Sequence, residues 1–363
     1  MLIGVLGGGQ LGRMLALAGH QLGLEFTFVD PAPDACAGSL GRHLVATYDD
    51  PAALDELVRT CEVVTFEFER VPAAAAERLS GSVAVRPRAR ALLVGQDRVI
   101  EKKLFSKLGL EVPRFAQASS RYELDEAIEV AGLPAVIKTR TEGYDGKGQV
   151  VVGDRAELDR AWELLGGKQL IVEELVPFER ELSLIAVRAG DGTTVFYPPV
   201  ENRHEEGILR SSRAPALGLA PALRDRAEHG VSALLALLDY VGVLAVEFFQ
   251  AGDRLLANEF APRVHNSGHW TIEGAVASQF ENHLRAVCGL PLGSTEAPGH
   301  AVMLNCIGDL PDQAEVLAIE GAHLHRYGKS PRPGRKVGHV TLVGGAPDDL
   351  EPGERALRAL GLR

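Results

Sequence analysis

The sequence predicts a multi-domain α/β protein: a parallel-sheet unit first, a small mixed unit in the middle, and longer strands after it. Three observations carry that prediction. Short apolar runs alternate with helical patterns over about the first ninety residues. A glycine-rich loop then separates two short strands near 143–149, and from about 181 the apolar runs lengthen. Strands alternating with helices give βαβ units and a parallel sheet, whereas longer runs joined by tight turns give antiparallel pairs. At 363 residues the chain also exceeds what one core usually serves. The expected division is 1–95, 96–178 and 179–363, the last ending in a β-rich piece from about 295.

In order, 2–6, 25–29 and 62–66 are expected strands and 10–21, 51–60 and 72–79 expected helices, with a short run at 83–85 closing this Rossmann-like unit. Residues 88–109 form helical linkage out of it. The middle unit holds a helix (122–131), strands at 134–138 and 149–152, a helix (155–165) and a strand (169–175), the outline of a lid. Strands at 181–188, 193–197, 242–249 and 254–260 follow, with helices at 222–238 and 272–287 and late strands at 301–306 and 337–343.

Hydrophobic residues make up 46% and charged residues 24%, ordinary values for a soluble globular enzyme. The net charge of -11, with no basic run interleaved with aromatics, argues against nucleic acid as partner and leaves room for a small phosphorylated substrate. Cys36, Cys61, Cys288 and Cys306 are scattered without a CxxC pair, as a reducing cytosol permits. The glycine-interrupted N-terminus has no basic leader, and no window approaches the roughly 20 apolar residues of a membrane span. The expectation is a cytoplasmic protein with no membrane partner.

Glu247 in "GVLAVEFF" and Glu259 in "RLLANEFAPR" each interrupt an apolar run that otherwise reads as a buried strand. Burying a carboxylate is costly unless something rewards it. Two carboxylates with Asn258 on neighbouring strands suit a hard cation such as Mg²⁺ held on nucleotide phosphates; two edge glutamates facing water are the alternative. With 250–253 as the turn, a loop of odd length sets positions 247 and 259 on one face, whereas a two-residue loop sets them on opposite faces.

Gly7-x-Gly9-x-x-Gly12 follows the first strand, and Asp30 ends the second. That pattern fits a dinucleotide fingerprint, any other phosphate at a helix N-terminus, or a tight turn with no ligand. Lys138 ends a buried strand and needs an anionic partner, and the glycines of 143–149 free the backbone to wrap a phosphate without the spacing of a Walker A loop. Glu173, Glu174 and Glu181 surround a Pro-containing turn and fit either a grip on adenine and ribose or plain solvation. The segment 261–270 packs Arg263, His265, Asn266, Ser267 and His269 into one loop, a donor set for a small planar oxyanion such as bicarbonate. Arg326, Lys329, Arg332, Arg335, Lys336 and His339 form a local basic segment, either a phosphate contact or an exposed charged loop.

Taken in order, "GGGQLGRM", "TFEFE", "QDR", "GYDGKGQ", "EELVPFERELS", "NEFAPR", "HNSGHWT" and "YGK…RPGRKVGH" resemble the N5-carboxyaminoimidazole ribonucleotide synthase family of ATP-grasp enzymes, over essentially the whole chain. The resemblance implies an ATP-grasp fold and ligation of bicarbonate to 5-aminoimidazole ribonucleotide (AIR) with ATP and Mg²⁺, in purine biosynthesis, by a homodimer. It implies an ATP site of Arg98, Lys138, Gly143, Tyr144, Asp145, Gly146, Lys147, Gly148, Gln149, Glu173, Glu174, Leu175, Val176, Glu181, His204, Asn258 and Glu259. In that site Lys138 meets the phosphates, the strand-edge backbone of 173–176 meets adenine and Glu181 meets the ribose. Glu247 and Glu259 match the family's magnesium ligands, and Arg263, His265 and Asn266 would hold bicarbonate. Gly9, Gln10 and Leu11 with Lys329 and Arg335 would take the ribonucleotide phosphate, and Glu67 and Asp145 would lie near its amine, with Asp145 orienting it or receiving its proton. The chain departs from the family pattern at Val264, usually proline, and at Glu142, often a small residue.

Two other readings compete. One keeps the fold with another acceptor, such as a formate-dependent glycinamide ribonucleotide transformylase. The other is a dehydrogenase built on the glycine motif and Asp30, which gives no account of Glu247, Asn258 and Glu259.

Overall fold

The structure, a computed structural model, describes residues 1–141, 143 and 148–362. Short apolar runs followed by amphipathic helices build the first unit. Strands β1 (Leu2–Leu6), β2 (Glu25–Asp30), β3 (Arg42–Val45), β4 (Val63–Phe66) and β5 (Ala84–Val85) form one parallel sheet in the order β3-β2-β1-β4-β5. Helices α1 (Gln10–Gln21), α2 (Pro51–Thr60) and α3 (Ala73–Ser80) carry the crossovers. Asp50 starts α2 by accepting from Ala53 N at 2.8 Å, with Pro51 in the first turn. Strand order reverses between β1 and β4, which opens a crevice at their C-terminal ends.

The expected helical linkage is two helices, α4 (Ala89–Gly95) and α5 (Arg98–Lys107). Asp97 caps α5 through Val99 N and Ile100 N, and Phe105 packs edge-on to Phe260 with ring centroids 6.0 Å apart. The small central sheet runs β6 (Phe115–Ala118), β9, β7 (Ala135–Thr139), β8 (Gln149–Val152), with β9 at Leu170–Glu174, all pairs antiparallel. Helices α6 (Arg121–Ala131) and α7 (Leu158–Leu164) cover it through Leu124, Ile128 and Leu158.

The large sheet contains β10 (Arg180–Arg188), β11 (Thr194–Phe196), β12 (Val200–Glu205), β13 (Ile208–Ala214), β14 (Gly242–Ala251), β15 (Arg254–Ala261), β16 (His300–Ile307), β17 (Ala322–Arg326) and β18 (Lys336–Gly344). Its order is β15-β14-β10-β12-β13-β16-β18-β17, with β11 on β10, so the C-terminal β-rich piece continues this sheet through β13 and β16. The hairpin β12–β13 was not expected, because its strands carry polar residues toward the cleft in place of an apolar alternation. It turns on Glu206 and Gly207, both at positive φ (53° and 75°), as a tight two-residue turn of the right twist requires. Helix α8 (Pro221–Leu237) packs on one face against Leu182, Leu184, Val246 and Phe248. On the other face, Ile185, Val187, Val243 and Ala245 join α1 of the first unit in one core. The helix expected over 272–287 is broken into α9 (Thr271–Gly274) and α10 (Gln279–Val287), with Ser278 capping the second through Glu281 N at 3.1 Å. No helix among the described residues is long and apolar enough to cross a membrane.

His283 on α10 joins the parallel sheet to the large one. Its Nδ1 accepts from Val243 N at 3.1 Å, which leaves the proton on Nε2 to donate to Thr65 Oγ1 at 2.9 Å. A side chain at Gly242, whose φ is 125°, would meet the ring at 2.9 Å. Burial lowers the imidazole from 6.5 to about 4, so the folded state keeps it neutral while the unfolded chain protonates it below 6.5. Stability from this group is therefore complete above pH 6.5 and is lost as pH falls toward 4, about 3 kcal/mol in all. Urea midpoints measured from pH 7 to pH 4 should show that loss in the wild type and a shallower one in His283→Gln; matching profiles would refute this assignment.

Candidate active site

The hairpin β14–β15 turns on Gly252 (φ 60°) and Asp253, with Ala251 opposite Arg254 and Phe248 opposite Ala257. This is the two-residue loop that, continued regularly, sets Glu247 opposite Asn258 and turns Glu259 away. The register shifts between Glu247 and Phe248, leaving Asn258 as an extra unpaired residue and bringing Glu259 opposite Glu247. A β-bulge, and not the length of the turn, thus puts both carboxylates on one face. Asn258 Oδ1 is buried with no hydrogen-bond partner. Burial first, then the Glu259 carboxylate, pushes Glu247 up to about 7. Desolvation also acts to raise Glu259, but Arg98, at 2.7 Å, outweighs it and holds that group at about 2. Among the described residues no three His, Cys, Asp or Glu side chains gather into a metal cage. A cation shared with phosphates needs only one or two protein carboxylates, and the oxygens of Glu247, Glu259 and Asn258 fit that demand.

A charged layer links this hairpin to the central sheet. Lys138 Nζ at the end of β7 lies 3.0 Å from Glu173 Oε2 on β9, and Lys102 Nζ from α5 lies 3.3 Å from the same oxygen. The two ammoniums, opposing the effect of burial, hold Glu173 at about 2. Arg98 Nη2 reaches Gly143 O at 3.4 Å. Glu101, buried on α5, accepts from Phe260 N at 2.7 Å, and burial followed by Glu259 raises it to about 8. Glu173 itself departs from expectation: β9 pairs with strands on both sides, so its backbone is inside the sheet and not at an edge. Glu174 N and Leu175 N are also used, by Arg114 O and Pro134 O, and the Glu174 carboxylate pairs with Arg114. Glu181 and His204 hydrogen-bond to each other across β10 and β12; burial lowers the His204 pKa, and that bond with the Glu247 and Glu181 charges outweighs it, leaving the imidazole raised.

The loop after β15 is held from behind. Gln279 clamps His265 at both backbone groups, accepting from its N at 2.9 Å and donating to its O at 2.6 Å. His265 Nδ1 accepts from Ser267 N at 3.3 Å, so its proton sits on Nε2, which faces Glu247 Oε1 at 3.5 Å. Burial, then Arg263, keeps this imidazole well below 6.5. Arg263 is bound to Glu69 and to Val264 O. Asn266 forms a reciprocal amide pair with Asn305, at 3.1 and 2.9 Å. Beneath lies a layer of packed rings: His325 stacks on His339 at 4.4 Å, His269 sits 4.9 Å from His339, and Tyr327 contacts His339 Nδ1 at 2.8 Å.

At the first crevice the glycine motif is filled by the protein's own carboxylates. Glu67, just past β4, accepts from Gly9 N at 2.8 Å and Gly12 N at 3.1 Å, and Asp30 accepts from Gly8 N at 2.7 Å. A pyrophosphate cannot occupy amides so engaged, which removes the dehydrogenase reading and explains the motif as an internal anion cradle. Gln10 and Leu11 stand at the next amides of α1, Lys329 is bound to the Gln10 side chain, and Arg335 holds Ser330 O at 3.1 Å.

The structure thus gathers Arg98, Lys138, Gly143, Glu173, Glu247 and Glu259 around one cleft, with Arg263 and His265 at its side, and sets Gly9, Gln10, Leu11, Glu67, Lys329 and Arg335 together at the other. Gly148 and Gln149 open β8, and Val176 follows β9. Glu142, Tyr144, Asp145, Gly146 and Lys147 lie outside the described residues. Sequence reasoning missed Glu69, Glu101, Lys102 and Asn305. Glu101 and Lys102 offered a signal, since they sit at buried positions of the helical pattern, and Glu69 lay in the quoted "TFEFE" without being given a role; Asn305 offered none.

Three family models match the chain: a ribonucleotide synthetase preATP-grasp domain over 1–96, an ATP-grasp domain over 103–280 and a phosphoribosylaminoimidazole carboxylase C-terminal domain over 301–352. The chain is 56% identical to the N5-carboxyaminoimidazole ribonucleotide synthase of Pseudomonas aeruginosa, covering 94% of each protein. It matches the crystal structure of the corresponding synthetase of Thermus thermophilus with a TM-score of 0.95 at 54% identity, over 99% of this chain and 98% of that one. The synthase of Aspergillus clavatus in complex with ADP and 5-aminoimidazole ribonucleotide matches at 0.90 with 32% identity, over 99% and 98%. The chain belongs to the N5-carboxyaminoimidazole ribonucleotide synthase family of ATP-grasp enzymes.

Proposed function

We propose that this chain is an ATP-dependent ligase that carboxylates AIR with bicarbonate, forming N5-carboxyaminoimidazole ribonucleotide, ADP and phosphate through carboxyphosphate. The observation that supports it most is the facing pair Glu247 and Glu259, one held ionised by Arg98, beside the partnerless Asn258 oxygen and across from Lys138. The residues assigned from sequence keep their roles in this reading with two exceptions: Gly9, whose amide Glu67 takes, yields the ribonucleotide phosphate to Gln10 and Leu11, and the adenine contact moves from Glu173 to the Leu175 carbonyl and Val176.

Glu247, Glu259 and Asn258 would hold Mg²⁺, which would offset charge on the nucleotide phosphates. Lys138, Arg98 and the loop at Gly143, Gly148 and Gln149 cradle those phosphates and stabilise charge in transfer. Glu181 and His204 meet the ribose in this reading. Bicarbonate is a poor electrophile, and phosphorylation gives it a leaving group. Arg263, fixed by Glu69, and the neutral His265 Nε2–H orient it, with Asn266 locked beside them by Asn305. AIR binds with its phosphate toward Gln10, Leu11, Lys329 and Arg335 and its amine toward Glu67 and Asp145. A closed lid excludes water from the intermediate.

We divide the chain at 1–95, 96–178 and 179–363, with α5 packed on the last unit. The four free cysteines fit a reducing cytoplasm, and a homodimer is the expected assembly.

The deciding measurement is ADP release with Mg-ATP and bicarbonate, with and without AIR. Release should require bicarbonate and rise with AIR; indifference to AIR with a response to glycinamide ribonucleotide and formate would favour the transformylase. Glu259→Gln should lower kcat roughly 100-fold, the scale of losing one group that offsets transition-state charge. Lys329→Met should raise KM for AIR about tenfold at a near-constant KM for ATP, and a change confined to ATP would place the ribonucleotide elsewhere.

A further inference from the structure

Lys102 is 1% exposed, and no role for its charge is supplied by packing alone, since a methionine would fill the same space without the cost of desolvating an ammonium. Its two partners lie on different sheets. Nζ donates to Ala257 O on β15 at 3.2 Å and lies 3.3 Å from Glu173 Oε2 on β9. That same Glu173 oxygen holds Lys138 Nζ at 3.0 Å, while Glu173 Oε1 is buried without a partner, so the orientation of this carboxylate rests on the two ammoniums. Ala257 is the last regularly paired residue before Asn258, the extra residue that turns Glu259 toward Glu247. The neighbouring Glu101 ties the other side of the bulge by accepting from Phe260 N at 2.7 Å. One turn of α5 therefore touches the backbone on both sides of the bulge and the carboxylate that seats Lys138.

We propose that Lys102 is a positioning residue of the nucleotide site: its buried ammonium ties Glu173 of the central sheet to Ala257 of the large sheet, fixing Lys138 and the Asn258 bulge relative to each other. It never meets the phosphates itself. The inference rests on Mg-ATP binding between these sheets, as proposed above.

The test compares Mg-ADP affinity and steady-state ADP release in the wild type, Lys102→Met, Glu173→Gln and the double variant. Lys102→Met should raise KM for ATP about tenfold and lower kcat, the scale of losing one charge-assisted hydrogen bond, while KM for AIR stays within about twofold. The double variant should be little worse than Glu173→Gln alone, because both changes act through one carboxylate. Strict additivity, wild-type nucleotide parameters in Lys102→Met, or a parallel loss for ATP and AIR that tracks the melting temperature would each overturn it. Should Lys102→Met not fold, Lys102→Gln, which removes the charge and keeps a polar side chain, decides: a raised KM for ATP at unchanged KM for AIR supports the role, and wild-type values overturn it. A wild type that fails to bind Mg-ADP sinks the functional reading and this inference together, whereas normal wild-type binding with an indifferent Lys102→Met sinks the inference alone.

Discussion

A single extra residue in one strand governs the geometry of the cleft. Side chains alternate along a strand, so a tight turn at Gly252 and Asp253 commits Glu259 to the face that packs on Phe248 and α8. There its carboxylate would lie in an apolar core. The bulge at Asn258 cancels that commitment by one step, and everything beyond it changes face together. Phe260 then enters the apolar core beside Phe105, while Glu259 faces Glu247, Arg98 and the cleft. The apolar and the charged consequences are one event, because the same register places both. A bulge is an interruption of the ladder with its own cost, and here it is held on both sides by α5, through Ala257 O and Phe260 N.

The two clefts arrange their buried charges in opposite ways. At the parallel sheet the turn supplies amides and the protein supplies its own anions, Glu67 and Asp30, which fix the loop before any ligand arrives. Burial raises Glu67, and the amides of Gly9 and Gly12 oppose that shift, so the carboxylate and the loop stabilise each other. A side chain at Gly9 would come within 2.7 Å of Glu67 Oε1, so the motif's glycine spacing reflects contact with this carboxylate. Between the central and large sheets the arrangement is reversed: side-chain cations are preassembled and their full complement of anions is not.

That difference explains what could be read from the sequence. Most of the parallel sheet was legible because β1, β2 and β4 are compact apolar runs and α1 and α2 begin at a glycine and an Asp cap; β3, a short Arg-His-Leu-Val run, gave no such signal and was not expected. Glu247 and Glu259 were legible because a carboxylate in an apolar strand is conspicuous. The reason they face each other was not, since nothing in "RLLANEF" marks Asn258 as unpaired and the register is set by contacts from α5, far away in the chain. The hairpin at Val200–Glu205 and Ile208–Ala214 escaped because strands that line a polar cleft lose the alternation that reveals strands. The bonds of Glu67 to Gly9 and Gly12 depend on β4 lying beside β1, a fact of topology that no local run of residues states.

The charge balance of the second cleft gives the fold its chemical direction. Among the described residues Arg98 pairs with Glu259, and Lys102 and Lys138 share Glu173, while burial and then the Glu259 charge raise Glu101 to about 8. Two ammoniums held on one carboxylate oxygen, in a region from which water is largely excluded, are costly unless a further anion is at hand. The folded chain bears that cost through the bonds of α5 to the bulge and of Glu173 to both lysines, which keep the cations from relaxing apart. A phosphate group entering the cleft restores the balance, and the preorganised cations need not move to meet it. The same surplus disfavours a lone divalent cation beside Glu259 until phosphate is present, so nucleotide and metal are expected to bind as a pair.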